Sequence, residues 1–218
     1  MDRETVDKLL TTTRSVRKRL DFDRPVEREI ILECIDLAVQ APSGTNWQAW
    51  HFLVVMDAEK RVQIGEYYRQ SFEKYVATPG SSFHTQGDSQ LERVRDSSRY
   101  LAENMGRVPA MIIPCYKGRV ENEPPSRQAS VYGSILPAAW SLMLALRSRG
   151  LGAAWTTIHL RYEKEVAALL SIPEDATQGV LLPVAYYKGD DFGRAKRSPA
   201  AEVTFWDSWG DTDVHSGA

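Results

Sequence analysis

Basic and hydroxyl side chains crowd together near the start of the chain, where they could hold a phosphate or another anion. In the stretch TTTRSVRKRLDFDRP, residues 11–25, these side chains include Arg14, Ser15, Arg17, Lys18 and Arg19. If the segment is extended, Ser15 and Arg17 face the same side and can both donate hydrogen bonds to one anionic group. The alternative is a solvated surface, which is the commoner place for lysine and arginine.

Two further segments carry groups that could line a ligand site. In APSGTNW, a tight turn contains Pro42, Ser43, Gly44 and Asn46, and its small residues would let the backbone approach a flat ligand. Near the other end of the chain, GRAKRSP supplies a second positive cluster with Lys196 and Arg197. Each segment also has a plain interpretation, as a helix-to-strand turn or as a solvated surface.

The composition predicts one globular domain spanning residues 1–218. Of the 218 residues, 43% are hydrophobic and 26% charged, with a formal net charge of -2, so nothing attracts the whole chain to nucleic acid or to an anionic membrane. Acidic residues at the N-terminus and the lack of a long apolar run favour a cytoplasmic protein. The histidines and cysteines show no HExxH or CxxC spacing, so no metal site is predicted.

Helices and strands are interspersed without regular βαβ alternation, and no glycine-rich phosphate loop such as GxGxxG is present. Apolar periodicity predicts helices over 4–13, 25–41 and 128–149. A charged helix is expected over 58–77, with further helices over 90–105 and 162–171. Strands are predicted over 50–56, 109–118, 153–158 and 179–189. Segments 79–89 and 119–127 are expected to be exposed connections.

Four stretches, in order, resemble the FMN-dependent nitroreductase family and its mycobacterial-type branch in particular. They are TTTRSVRKRLDFDRPV, LAVQAPSGTNWQAWHFLVV, ALRSRGLGAAWTTIHL and LLPVAYYKGDDFGRAKRSP. The resemblance implies an α+β fold, with a central, mostly antiparallel sheet flanked by helices, and an intertwined homodimer with two FMN sites at the subunit interface. It also implies that the tail, about 199–218, packs on the partner subunit through Phe205, Trp206 and Trp209.

The same resemblance assigns residues to the cofactor. The residues that would contact the phosphate, ribityl or pyrimidine edge of FMN are Arg14, Ser15 and Arg17. Lys18 and Arg19 would lie on the solvent-exposed surface. The partner subunit would lay the turn containing Pro42, Ser43, Gly44 and Asn46 near the isoalloxazine. The remaining cofactor contacts implied are Trp155, Thr156 and Thr157 beside N5 and the pyrimidine, and Lys196 and Arg197 at the phosphate.

The resemblance implies an NAD(P)H:acceptor oxidoreductase that reduces nitroaromatic or quinone-like substrates by ping-pong hydride transfer through flavin N5. Flavin performs the chemistry in such an enzyme, so no catalytic side chain is expected. A reductive dehalogenase and a flavin-sequestering or sensing protein with little turnover are the alternatives. The choice between NADPH and NADH, the small flat acceptor and a substrate lid over residues 66–105 stay open.

Overall fold

The computed structural model describes residues 2–81, 83 and 89–212. Thr13–Asp190 forms one compact unit, and the two chain ends, Met1–Thr12 with Asp191–Ala218, form another. The single-domain organisation over 1–218 stays a prediction. Residues 82 and 84–88 of the connection predicted over 79–89 lie outside the described part of the chain.

One antiparallel sheet forms the centre of the larger unit. Within the described residues its strands are β1 (Trp50–Val55), β2 (Ala110–Lys117), β3 (Leu151–Ala153), β4 (Ala176–Gln178) and β5 (Leu182–Tyr186). Antiparallel ladders join β1 to β2, β2 to both β4 and β5, and β5 to β3. The path β1-β2-β5-β3 leaves β1 and β3 at opposite edges. The predicted α+β class with a mostly antiparallel sheet is confirmed.

A proline explains why β2 has two different partners on one side. Pro114 has no N–H to donate to a ladder, and its carbonyl accepts a hydrogen bond from the Gly179 N–H at 2.8 Å. Residues of β2 before this point pair with β5, and those after it pair with β4. The sequence pattern missed β4, a strand of three residues.

The strand predicted over 153–158 is wrong for most of its length. Only Ala153 belongs to β3, and a 3₁₀ turn already begins at Ile158. Between these points the chain leaves the ladder, although Thr156 still forms an isolated antiparallel bridge with Leu181. Apart from that bridge, residues 154–157 have no regular strand structure.

Helices flank the sheet. The helices of the described chain are α1 (Arg3–Thr12), α2 (Arg28–Ala38), α3 (Ala58–Ala77), α4 (Ser89–Asn104), α5 (Pro125–Ser148) and α6 (Glu163–Leu170). The side chain of Asp57 caps α3 by accepting from the Lys60 N–H at 2.9 Å. Gly150, at φ +75°, follows α5 in the left-handed region that suits glycine. The exposed connection predicted over 119–127 is shorter than expected, because α5 already begins at Pro125.

The main core lies between α2, α5 and the sheet. Its buried members include Ile31, Cys34, Ala38, Ile112, Leu142, Leu146, Leu182 and Val184. The apolar face of α2 therefore packs in this core. α5 is also long and apolar enough to cross a membrane, but half of the relevant window is buried inside the protein, as in the core helix of a globular domain.

Candidate functional site

The first basic segment runs beside β3. The backbone N–H of Val16 donates to the Ala153 carbonyl at 2.9 Å, and the hydroxyl of Ser15 accepts from the Trp155 N–H at 3.0 Å. Val16 is buried, so its neighbours Ser15 and Arg17 turn to the opposite side. Two stretches about 140 residues apart in sequence are therefore brought together.

Arg14 and Arg17 are half-buried cations without a carboxylate partner. Neither guanidinium donates a hydrogen bond or forms an ion pair within the part of the chain that the structure describes. Burial lowers the pKa of Arg17, and the nearby phenol of Tyr68 opposes that shift. Because a desolvated cation is costly unless an anion accompanies it, Arg17 is a ready counterion for an anionic ligand.

The two following cations behave differently from Arg17 and from each other. Lys18 is exposed and forms an ion pair with Asp96. Arg19 was predicted to be a solvent-exposed surface residue, but its guanidinium is bonded to the backbone. Its Nε donates to the Lys188 carbonyl at 2.6 Å, and its Nη2 donates to the Asp190 carbonyl. Arg19 thus ties the chain to the segment after β5.

The segment after β3 presents a fixed hydroxyl next to the Ser15–Trp155 contact. Thr156 is held by two backbone hydrogen bonds to Leu181, with N···O distances of 3.3 and 2.8 Å. Its Oγ1 lies 3.1 Å from the phenol oxygen of Tyr68 on α3. Trp155 packs partly against the main core, whereas Thr157 is exposed.

Tyr68 was missed by the sequence analysis, which described α3 only as a charged helix. Ile64, Tyr68 and Phe72 are buried at spacings of four residues and therefore form one face of the helix. A tyrosine on such a face usually needs a partner for its hydroxyl. That rule indicates a buried polar contact, but the partner Thr156 is 88 residues away in sequence.

The turn of small residues is built against α5. The Gly44 N–H donates to the Ser134 hydroxyl at 3.0 Å, and a Cβ on Gly44 would lie 2.4 Å from Ser130 Oγ. The Ser43 hydroxyl accepts from the Gln48 N–H at 2.9 Å. Asn46 has φ 55°, a conformation that asparagine tolerates better than most residues. Pro42 is exposed at the start of this turn.

The turn and the Arg17 cluster are attached to opposite edges of the sheet. The turn leads directly into β1, and the basic segment runs beside β3. Three interstrand steps of about 4.8 Å separate these edges, or ~14 Å. The geometry of one chain therefore does not place Gly44 and Arg17 next to each other.

Lys196 and Arg197 belong to the unit formed by the chain ends. Both are exposed, and Arg197 Nη1 donates to the Lys196 carbonyl at 3.1 Å. Their contact with the FMN phosphate stays a prediction.

Comparison with known proteins shows the family. The model of the nitroreductase family matches residues 10–186, and the chain belongs to this family. A relative called putative NADH dehydrogenase/NAD(P)H nitroreductase, from Methanothermobacter thermautotrophicus, is 28% identical over 181 residues, covering 81% of this chain and 74% of its own. The mycobacterial-type branch stays a prediction.

Deiodinases are also among the relatives. Iodotyrosine deiodinase from Thermotoga neapolitana is 28% identical over 180 residues, which cover 81% of this chain and 86% of its own. A solved iodotyrosine deiodinase bound to FMN and 3-iodo-L-tyrosine superposes with a TM-score of 0.66 at 24% identity, covering 87% of this chain and 94% of that one. This structural likeness supports the fold.

Proposed function

We propose that this protein is an FMN-dependent NAD(P)H:acceptor oxidoreductase acting on nitroaromatic or quinone-like compounds in the cytoplasm. The observation that carries the proposal is the half-buried Arg17, which lacks a carboxylate partner among the described residues and lies beside the Ser15–Trp155–Thr156 cluster. Family membership supports it, because FMN is bound in a solved structure of the same fold.

The residues present fit FMN. Arg17 and Arg14 would neutralise its phosphate or the negative charge on its pyrimidine edge. Thr156 would offer a hydroxyl to the ring, while Trp155 and Thr157 would line the same side. Bound FMN would supply the redox chemistry, and the protein would bind it, orient it and stabilise charge.

We further propose that two copies of the chain complete each site. The turn with Pro42, Ser43, Gly44 and Asn46 would serve the flavin held by the partner, because it lies at the far edge of its own sheet. Lys196 and Arg197 would hold the phosphate. In the tail, Trp209 is 94% exposed, and burial against a second subunit would remove this apolar surface from water.

A matched pair of variants tests the FMN assignment. Arg17→Ala should weaken FMN binding by about tenfold or more, because a hydrogen bond to a charged group contributes about 1.5–3 kcal/mol. Lys18→Ala removes an adjacent exposed cation and should change the dissociation constant less than about twofold. Titration of the apoprotein with FMN, followed by flavin fluorescence, measures both.

The first measurement to make is the visible absorption spectrum of the purified wild-type protein, which shows whether flavin is bound. A protein that remains colourless after incubation with FMN would refute the function. Equal weakening by both substitutions would refute only the role of Arg17. Rapid anaerobic bleaching of the flavin by NADPH or NADH would distinguish an enzyme from a sequestering or sensing protein, and would also show which donor is preferred.

Reductive dehalogenation is the second candidate, and the deiodinase relatives favour its inclusion. The two activities differ in their products. With reduced protein and 3-iodo-L-tyrosine, release of iodide would support the dehalogenase. With a nitroaromatic or quinone acceptor, reduction in steady state at the expense of NAD(P)H would support the oxidoreductase.

A further inference from the structure

We propose that Arg127 is a specificity-determining residue that binds an anionic group, phosphate or carboxylate, of the substrate at the shared flavin site. The inference rests on the proposed function and on the proposed pairing of two copies, and it adds to them a site that recognises negative charge on the substrate. Arg127 lies in the first turn of α5. The central carbon of its guanidinium lies 4.9 Å from the ring centre of Trp47, a side chain that is 54% exposed.

Arg127 lies on the face of α5 that holds the turn of small residues. Arg127, Ser130 and Ser134 are three and seven residues apart, and therefore share one side of the helix. Ser134 accepts from the Gly44 N–H at 3.0 Å, and Ser130 Oγ occupies the place of a Cβ on Gly44. Trp47 follows this turn directly, and its N–H donates to the Gly44 carbonyl at 3.1 Å. Arg127 and Trp47 would thus reach the partner's flavin together with the turn.

Uncharged groups hold the guanidinium of Arg127 in place. The indole of Trp47 below it makes an edge contact with the buried ring of Tyr116, with 6.2 Å between the ring centres. On another side, a Cβ on Gly118 would lie 3.7 Å from Nη2 of Arg127. An arginine over an aromatic ring gains a cation–π contact and keeps its N–H groups available as donors.

No carboxylate neutralises Arg127 within the part of the chain that the structure describes, and its side chain donates no hydrogen bond there. Arg119 differs, because it forms ion pairs with both Glu121 and Glu163. The helix dipole disfavours a cation in the first turn of a helix, so stabilisation of α5 does not account for Arg127. This half-buried cation is therefore available to an anion of the ligand.

Two kinds of substrate could supply that anion. NADPH carries a ribose phosphate that NADH lacks, and an aromatic acceptor can carry a carboxylate. A guanidinium binds either group through paired N–H···O hydrogen bonds. Donor and acceptor use the same cleft in turn in the proposed reaction, so one cation can serve both. The phosphate of FMN is a separate anion, which the proposed site assigns to other cations, including Lys196 and Arg197.

Arg127→Ala tests the inference in each half of the reaction. Anaerobic stopped-flow reduction gives the ratio of the second-order rate constants for NADPH and NADH, which should fall about five- to twentyfold if Arg127 binds the phosphate. Reoxidation of the reduced flavin gives the same ratio for para-nitrobenzoate and nitrobenzene, which should fall similarly if Arg127 binds a carboxylate. A fall in either ratio supports the inference and identifies the source of the anion.

Arg28→Ala is the matched control, because Arg28 is an exposed arginine in the first turn of another helix, α2. It should leave both ratios unchanged. Arg127→Gln is a second neutral variant, for use if Arg127→Ala does not fold, and should lower the same ratio. FMN affinity should change less than about twofold in all three variants.

The inference about Arg127 would be overturned by unchanged ratios in both halves of the reaction, or by equal falls in Arg28→Ala. A tenfold loss of FMN affinity in Arg127→Ala would also overturn it, because Arg127 would then be a cofactor ligand. These results leave the proposed function intact as long as the wild-type protein binds FMN and turns over. A wild-type protein that binds no FMN would refute the function itself.

Discussion

The imidazole of His159 is fully buried in the 3₁₀ turn Ile158–Tyr162. Neither ring nitrogen has a hydrogen-bond partner in the described part of the chain. Burial lowers the pKa of His159 from 6.5 to about 3, because a charged imidazole would lose its hydration. The folded protein therefore holds this histidine neutral, and protonation favours the unfolded chain.

His159 should make the protein acid-sensitive. Its contribution to stability is complete above the unfolded pKa of 6.5 and is lost as the pH falls toward the folded pKa of about 3. At about pH 4.5 the loss should reach about 2–3 kcal/mol relative to neutral pH. Urea unfolding gives the free energy of unfolding of wild type and of His159→Met at both pH values. The contribution of His159 is the difference between the two proteins in the free energy of unfolding that they lose on acidification.

The exposed His51 provides the control for this experiment. His51→Gln should keep the wild-type loss of stability on acidification, since it leaves the buried His159 in place. If His159→Met and wild type lose the same free energy of unfolding on acidification, buried His159 is not the cause.

Residue types were easier to predict from sequence than residue environments. The basic stretch shows which residues are cations, but not which of them are buried. In the structure Val16 and Leu20 are buried, Arg17 is half-buried and Lys18 is exposed. The spacing of the apolar residues predicts part of this difference in burial. The Tyr68–Thr156 contact could not be predicted in the same way, because it depends on how α3 packs against a distant segment.

At the scale of elements, α1, α3 and α4 match their predicted spans closely. These helices have clear apolar periodicity or a capping residue such as Asp57. The strands were less predictable. β3 is short because the chain turns away from the ladder, and β4 has too few residues to show a period-two pattern.

A close backbone contact fixes α3 against the turn that follows α4. A Cβ on Gly65 would lie 2.6 Å from the Gly106 nitrogen and 2.8 Å from its Cα. Backbone atoms cannot rotate away as a side-chain tip can, so Gly65→Ala should destabilise the protein by about 1–3 kcal/mol. Chemical unfolding should show this as a lower midpoint.

Gly133 is the matched control because it also lies inside a helix, but a Cβ there would meet no atom within 4 Å. Gly133→Ala should stabilise the protein by up to about 1 kcal/mol through helix propensity alone. Similar effects of the two substitutions would show that propensity, and not the contact with Gly106, governs Gly65.

At the scale of the whole molecule, the distribution of candidate ligands over the sheet favours a shared site. Arg17 lies beside β3 and the turn around Gly44 precedes β1, at the other edge. The proposed dimer would bring the turn of one copy to the basic segment of the other. Sedimentation should then show a dimer, and a monomer that binds FMN with full affinity would contradict the shared site.

Mixed dimers of two defective chains test the shared site directly. Arg17→Ala removes a cation on one side, and Asn46→Gly removes an amide from the turn while allowing its positive φ. Each variant alone should bind FMN more weakly, Asn46→Gly by about two- to tenfold. In a mixed dimer purified through two different tags, one site combines both intact parts and the other combines both defects. Half of the sites should therefore bind FMN with wild-type affinity. If each chain formed its site alone, every site would carry one defect, and no wild-type fraction would appear in the titration.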